Sequence, residues 1–210
     1  MATANKPKFS LDGFINDFKN NGVLRTHSFE VFIPICKYMT SMYNTTEGIN
    51  LRCESAQMPG LTLAEAQSPP RYGYGPVEFN PYGIIHDNVS LTFVLDKTSR
   101  QYAFFYDWMG VIVNPDNSKS LEFEKSYRGK SAHRAYEVGY KDEYSVEMQV
   151  TMFDEEHNAV QSVTLYDAFP RAINAIDLNW ENQDQLAKIV VPFTYRDYKI
   201  DFLKYKTNNQ

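Results

Sequence analysis

Cysteine is nearly absent from this chain, at two residues, Cys36 and Cys53, in 210. Two thiols are too few for a disulfide framework or a closed zinc site. Each is expected as a buried thiol, and a disulfide requires their neighbouring strands to pair in the right register. No run approaches the roughly 18 apolar residues of a membrane-spanning helix, so no membrane insertion by this chain is expected. The first ten residues are polar and carry no apolar segment of the secretory-signal kind. Positive charge is not in excess: Lys+Arg is 21 against Asp+Glu 26, a net charge of -5. A surface that grips phosphates broadly needs the opposite balance, whereas one past which nucleic acid slides does not.

Chemistry is also scarce. There is no GxGxxG or Walker loop and no GxSxG elbow. Gly73-Tyr74-Gly75 lacks the third glycine and the helix that would follow it. The four histidines, His27, His86, His133 and His157, are scattered, and none lies at helical spacing from another. Asp154-Glu155-Glu156 is read as a solvated turn, because adjacent carboxylates in a turn rarely converge on a metal. No catalytic, cofactor or metal residues are assigned, and the chain is not expected to be an enzyme.

What is abundant is Tyr and Phe, 15 and 14 residues beside only 2 Trp. These residues favour pleated, half-buried surfaces and protein interfaces. Hydrophobic residues at 43% and charged residues at 22% are ordinary for a globular chain and exclude disorder as its main state. The length suits one sizeable domain with extensions.

Periodicity supplies the elements. Residues 10–20 read as a short amphipathic helix, with Leu11, Phe14, Ile15 and Phe18 on one face, Ser10 as cap and Asn20-Asn21-Gly22 as stop. Eleven residues do not hold as an isolated helix, so this one must lean on its own core or on a neighbouring subunit. Residues 28–35 and 49–56 alternate as strands around a polar turn at 38–48, with Ile49, Leu51 and Cys53 pointing inward. A short strand follows at 61–66. The breakers Pro69, Pro70, Gly73, Gly75, Pro76, Pro81 and Gly83 argue against any regular element over 68–87. The tyrosines there belong either to a folded-back loop or to an aromatic arm that docks on a partner.

Residues 89–95 form a clean strand, and Asp96 caps a helix over about 97–113. Its main stripe is expected to be Tyr102, Phe105, Tyr106 and Met109, with Phe104 and Trp108 as a second row. Residues 114–142 read as a loop with at most a short strand at 135–138. The strongest signal is 144–152. Tyr144, Val146, Met148, Val150 and Met152 alternate with Ser145, Glu147, Gln149 and Thr151, one face core and the other wet. Strands are expected at 160–169, at 173–180 and, covered on both faces, at 186–195. Residues 199–210 read as a tail. The resulting fold class is mainly β: an antiparallel β-sandwich or barrel of about seven strands with one packed α-helix.

Four stretches carry a family resemblance. They are Phe29-Glu30-Val31-Phe32-Ile33; Leu51-Arg52-Cys53-Glu54-Ser55-Ala56-Gln57-Met58-Pro59-Gly60; residues 88–108 closing on Tyr106-Asp107-Trp108; and Asp167-Ala168-Phe169-Pro170 through Leu178-Asn179-Trp180 to Val191-Pro192-Phe193-Thr194-Tyr195. In that order and spacing the chain resembles the tail tube proteins of contractile-tailed bacteriophages of the T4-like group. The likeness spans roughly 25–200. It divides the chain into an N-terminal arm with a short helix at 1–24, a tail-tube β domain at 25–200 and a C-terminal tail at 201–210. The arm, 68–83, 114–142 and the tail are longer than in compact members.

The resemblance implies a structural role. Subunits would form stacked hexameric rings, each adding strands to a multi-subunit β-barrel whose channel conducts DNA. Implied partners are further copies of the chain, the tail sheath protein, baseplate or tube-initiator proteins, and the tape measure protein and DNA in the lumen. The implied location is the virion tail, after assembly in the host cytoplasm. Candidate lumen-facing residues are Ser145, Glu147, Gln149 and Thr151. Candidate contacts between rings or subunits are Leu11, Phe14 and Phe18, Tyr72, Tyr74 and Tyr82, and Tyr198 and Phe202. Related readings are a tube-initiating or baseplate hub ring protein of the same fold and an Hcp-like secretion-system tube. From a different class, a carbohydrate-binding β-sandwich would also use exposed aromatics.

Overall fold

The computed structural model of the chain describes residues 10–68, 73, 77–113, 138–176, 178–180 and 185–203. Nine strands form among them: β1 (Phe29–Phe32), β2 (Cys53–Ala56), β3 (Thr62–Ser68), β4 (Glu78–Ile85), β5 (Val89–Val94), β6 (Val146–Phe153), β7 (Ala159–Pro170), β8 (Lys188–Thr194) and β9 (Asp197–Phe202). The helices are α1 (Leu11–Asn21), α2 (Glu47–Asn50), α3 (Arg100–Ile112) and α4 (Lys141–Tyr144), with a 3-10 turn at Lys37–Ser41. Seven strands make one antiparallel sheet in the order β1-β6-β7-β8-β5-β2, with β9 beside β7. The other two, β3 and β4, form a separate hairpin. The sheet does not close into a barrel within one chain.

β7 gives the sheet its shape. Gln161–Tyr166 pairs with β6 on one side and β9 on the other, whereas Phe169 and Pro170 pair with β8. Between these two stretches Asp167 takes φ 52°, and the β6 register shifts between Val146 and Met148. A left-handed residue beside a bulge bends a strand out of one ladder and into another. The sheet therefore has two wings, β1-β6-β7-β9 and β7-β8-β5-β2, joined through one strand.

The core follows from the alternating apolar positions. Val146, Met148 and Val150 of β6, Val163 and Leu165 of β7, Leu91 and Phe93 of β5, and Ile189, Val191 and Phe193 of β8 are buried. α3 covers the second wing. Its Phe105 ring lies 5.0 Å from Phe93, and Trp108 lies 6.1 Å from Phe193. Trp108 also donates Nε1–H to the Tyr144 carbonyl at 2.8 Å, which ties α3 to the start of β6. Asp96 prepares the helix start. Its Oδ1 accepts the main-chain N–H of Arg100 at 2.9 Å and of Thr98 at 3.1 Å. The Arg100 N–H bond is the chief reason its carboxyl sits below the usual range.

Several expectations are corrected. The segment 38–48 is not a plain turn: it holds the 3-10 turn and the start of α2, and Met39 within it is buried. The strand expected from 49 starts only at Cys53. A helical turn replaces its first half, with the Leu51 N–H bonded to the Glu47 carbonyl, so Ile49 stays buried while Leu51 is 78% exposed. The buried face of α3 is Gln101, Phe104, Phe105, Trp108 and Val111. Tyr102 and Tyr106 instead stack outside, 6.4 Å apart. Burying Phe and Trp removes more apolar area while the tyrosine hydroxyls stay hydrated.

Residues 68–87 do contain a regular element, β4, in spite of their prolines. Pro81 sits opposite Glu65 at the register shift between Ala64 and Glu65, on a strand paired on one side only, where a missing N–H breaks no ladder. The strand expected at 173–180 does not form among the described residues. This segment touches β8 through Arg171 N–H to the Pro192 carbonyl at 2.8 Å and Asn174 N–H to the Val190 carbonyl at 3.0 Å. Pro192 has no N–H to return, so the ladder stops. β8 is fully buried on one face and half-buried on the other, and Leu186 before it is exposed. The expected tail at 199–210 begins as strand, because Tyr198 and Ile200 alternate with Lys199 and Asp201 in β9. Of 114–142, residues 114–137 lie outside the described residues, and Val138 bridges Val113.

Candidate functional site

The first wing has one apolar and one polar face, set by residue parity. Cross-strand partners in an antiparallel sheet share a face. One row of the polar face runs Glu30–Thr151–Ser162–Asp201, and the next runs Phe32–Gln149–Thr164–Lys199. Tyr166 and Asp197 pair beyond them, and Glu147 stands exposed beside that pair. Of the four wet residues read from the sequence, Glu147, Gln149 and Thr151 are brought together here. Ser145 is not: it follows α4 with its N–H bonded to the Lys141 carbonyl at 2.9 Å, and it precedes β6.

This face is knitted by side chains. Gln149 Nε2 donates to the Ser162 hydroxyl at 2.7 Å, and Thr151 Oγ1 lies 3.4 Å from the same hydroxyl. Lys199 pairs with Asp201 at 2.9 Å, and that hydrogen bond together with the opposite charge raises the ammonium above its ordinary value. Glu30, Glu147, Asp197 and Asp201 stand on this face with one cation among the described residues, Lys199. The alternation of residues 144–152 pointed to β6 alone. The contributions of Glu30, Ser162, Thr164, Lys199 and Asp201 required the register of three further strands.

Both borders of the wing are open among the described residues. β1 pairs only with β6, and β9 only with β7. The Phe153 N–H bonds to the Ser28 carbonyl at 3.0 Å. In an antiparallel ladder this turns the main-chain groups of Phe29 and Val31 to the open side. Such an edge is a template for another strand.

Apolar groups project around these borders. α1 is capped as read, with Ser10 Oγ accepting the Gly13 N–H at 3.3 Å and Gly22 at φ 66° ending it. Leu11, Phe14 and Phe18 on α1 are exposed, and the Phe14 and Phe18 rings sit 4.7 Å apart. On the β3–β4 hairpin Leu63, Phe79, Tyr82 and Ile84 are exposed. Tyr82 was a candidate; the others were hidden by the prolines and glycines around them. Tyr72 and Tyr74 lie outside the described residues. Tyr198 stands at the hairpin base, its hydroxyl donating to the Gly60 carbonyl at 3.4 Å and its ring 5.6 Å from His86. Phe202 ends β9 and is exposed. The Tyr195 hydroxyl beside this base is buried without a hydrogen-bond partner among the described residues, and burial is the main cause raising its ionisation above the usual range.

Nothing among the described residues gathers three metal-ligating side chains. Asp154–Asn158 is a turn, with Asp154 Oδ1 accepting the N–H groups of Glu156 and Asn158. Glu155 pairs with Arg25 at 2.9 Å on the surface. Cys36 and Cys53 are free thiols, and burial raises both, Cys53 to about 12.

Residues 24–201 match the model of the phage tail tube protein family. No curated protein matches the chain. Among solved structures, the chain is similar to one in the PVC sheath-tube complex of an extracellular contractile injection system in its extended state. The TM-score is 0.54 and the identity 10%, covering 90% of this chain and 97% of that one. It is also similar to a chain of the anti-feeding prophage tube-terminating cap, with TM-score 0.53, 12% identity, and 86% and 91% covered. A chain of the anti-feeding prophage baseplate gives 0.51, 14%, and 87% and 97%. At these identities the likeness is one of fold.

Proposed function

We propose that this chain, which belongs to the phage tail tube protein family, builds a tube by closing its open sheet against sister copies. The observation that carries this reading is the wing β1-β6-β7-β9, with two unpaired borders and a polar face between them. Pairing the β1 border of one copy with the β9 border of the next satisfies both rows of main-chain groups and removes both edges. Repeated around an axis, that contact makes a ring. The number six comes from the family resemblance. The face bearing Glu147, Gln149, Thr151, Ser162 and Thr164 then lines the bore. Ser145 stands at its rim.

Function here is mechanical. A bore with more carboxylates than ammonium groups offers DNA few phosphate contacts, and each contact avoided removes salt-dependent drag. The tube conducts DNA, and a tape measure protein occupies it beforehand. The stacking contacts between rings come from α1 (Leu11, Phe14, Phe18), from Tyr72, Tyr74 and Tyr82, and from the β9 end (Tyr198, Phe202). Residues 1–24 act as an arm, 25–200 as the tube domain and 201–210 as a tail. The occurrence of similar chains in a sheath-tube complex and in a baseplate supports a sheath outside the tube and a baseplate at its end, within a phage tail assembled in the host cytoplasm.

A second reading has one observation in its favour: similar chains occur in a baseplate and in a tube-terminating cap. On that reading the protein forms one initiating or terminating ring. Electron microscopy of the purified protein separates the two, since rods of growing length support the tube subunit and single rings that never stack support the terminal ring.

A further inference from the structure

This molecule carries an apolar hole and an apolar knob. The hole is a cavity of about 470 Å³ at the C-terminal end of α3, lined by Tyr106, Met109, Ile112, Phe169 and Pro170, with exposed Arg171 at its margin. That volume is within the range, about 300–1,000 Å³, in which a buried group of several rings is received. The knob is the segment Leu178-Asn179-Trp180. Leu178 is exposed, and Trp180 is 98% exposed, the most of any large apolar residue among those described. A tryptophan left wholly in water forgoes the large area it would bury, and it is the residue type that most often anchors an interface.

Trp180, exposed as it is, does not fill the hole of its own chain. After Arg171 the chain runs back along β8, from opposite Pro192 to opposite Val190, towards the Lys188 end. That end lies where Leu95 N–H bonds to the Ala187 carbonyl, just before α3 begins. The hole is at the other end of α3, a 13-residue helix about 20 Å long. Charge matches as well. In the sequence Trp180 is preceded by Asp177 and followed by Glu181 and Asp184, whereas the hole carries the Arg171 guanidinium. A cation beside an indole face adds its own attraction.

We infer that Leu178-Asn179-Trp180 of one copy seats in the α3 cavity of a second copy, with Arg171 of the receiving copy meeting the acidic flank of the knob. Knob and hole differ, so the contact is head-to-tail and repeats from copy to copy. It rests on the tube reading in needing a second copy of the chain, and it adds a joint separate from the β1 and β9 borders.

Fluorescence tests it on the intact protein. The two tryptophans differ: Trp108 is fully buried already, so a change on assembly reports Trp180. Conversion of monomer to rods is expected to shift the emission to the blue and to cut acrylamide quenching several-fold, and Trp180→Phe removes both changes. In parallel, Trp180→Cys and Met109→Cys are made in separate chains and mixed before assembly and oxidation. A cross-linked dimer that neither variant gives alone can arise only between copies, and is the expected result. Rods that form with Trp180 still fully quenchable and no cross-link overturn this joint while leaving the tube reading standing. Wild-type protein that stays monomeric overturns both.

Discussion

The Gln149 side-chain amide on β6 donates to the Ser162 hydroxyl on β7 at 2.7 Å, and Ser162 is left only 7% exposed on the polar face of its sheet. A serine on the wet side of a strand is thus roofed by a diagonal neighbour from the next row, and Thr151 closes in from directly opposite. The face presents hydroxyl and amide groups in a fixed layer, with the carboxylates of Glu30, Glu147, Asp197 and Asp201 and the Lys199 ammonium around it.

Placing cations on that layer is expected to change what it holds. Glu147→Lys with Gln149→Lys leaves the ladder intact, because both side chains are on the wet face. Assembled rods of the variant are expected to retain DNA that wild-type rods release. Retention should weaken with salt at a log-log slope of about 0.7–0.9 per added phosphate contact. Filter binding across a salt series measures this, and equal retention by both proteins counts against the face meeting DNA.

The open border at β1 makes a second expectation. The Phe29 main-chain N–H faces away from β6, and Phe29 is the first residue of its strand, where proline is tolerated. Phe29→Pro is expected to keep a near-native circular dichroism spectrum and to lose ring-sized species in light scattering. A variant that forms rings as readily as wild type places the lateral contact elsewhere.

Trp108 holds α3 to both wings. Trp108→Ala deletes its contacts with Phe104, Phe105 and Phe193 and leaves the Tyr144 carbonyl without its donor. The expected loss is about 3–5 kcal/mol in urea unfolding of the monomer. Truncating exposed Tyr106 instead is expected to stay within about 0.5 kcal/mol.

Asp96 gives the start of α3 an acid dependence. Its carboxyl is held below the usual range by the Arg100 N–H, so the charged form binds the native state better. The stabilisation is therefore present above the unfolded value, near pH 4, and is lost as pH falls through the lower native value. Asp96→Asn is expected to flatten that part of the stability profile, below about pH 4. Thermal unfolding at stepped pH measures it, and a profile as steep as wild type assigns the acid loss to other carboxylates.

Much of this was legible before any coordinates. β5 and the first half of β6 alternate because each has one buried and one less buried side, and the Ser10 and Gly22 signals bound α1 correctly. What was not legible depended on partners. The turn of α2 carries the same apolar spacing as a strand start, so only the Leu51–Glu47 hydrogen bond separates them. β4 survives its proline because Pro81 meets a register shift on a strand paired on one side. β9 was masked by its charges, which alternate with half-buried Tyr198 and Ile200. Of the polar face, one strand in four was readable, since the other three take their meaning from cross-strand register. Trp180 lies in a stretch that carries the family resemblance, and nothing in the residues around it signals its full exposure.

Cryo-electron microscopy of the concentrated wild-type protein is the most direct test of the central claim. The expected map shows hollow hexameric rings stacked into rods, with β1 of each copy hydrogen-bonded to β9 of the next and Gln149 facing the bore. A map of single chains, or of rings in which β1 and β9 remain unpaired, contradicts it.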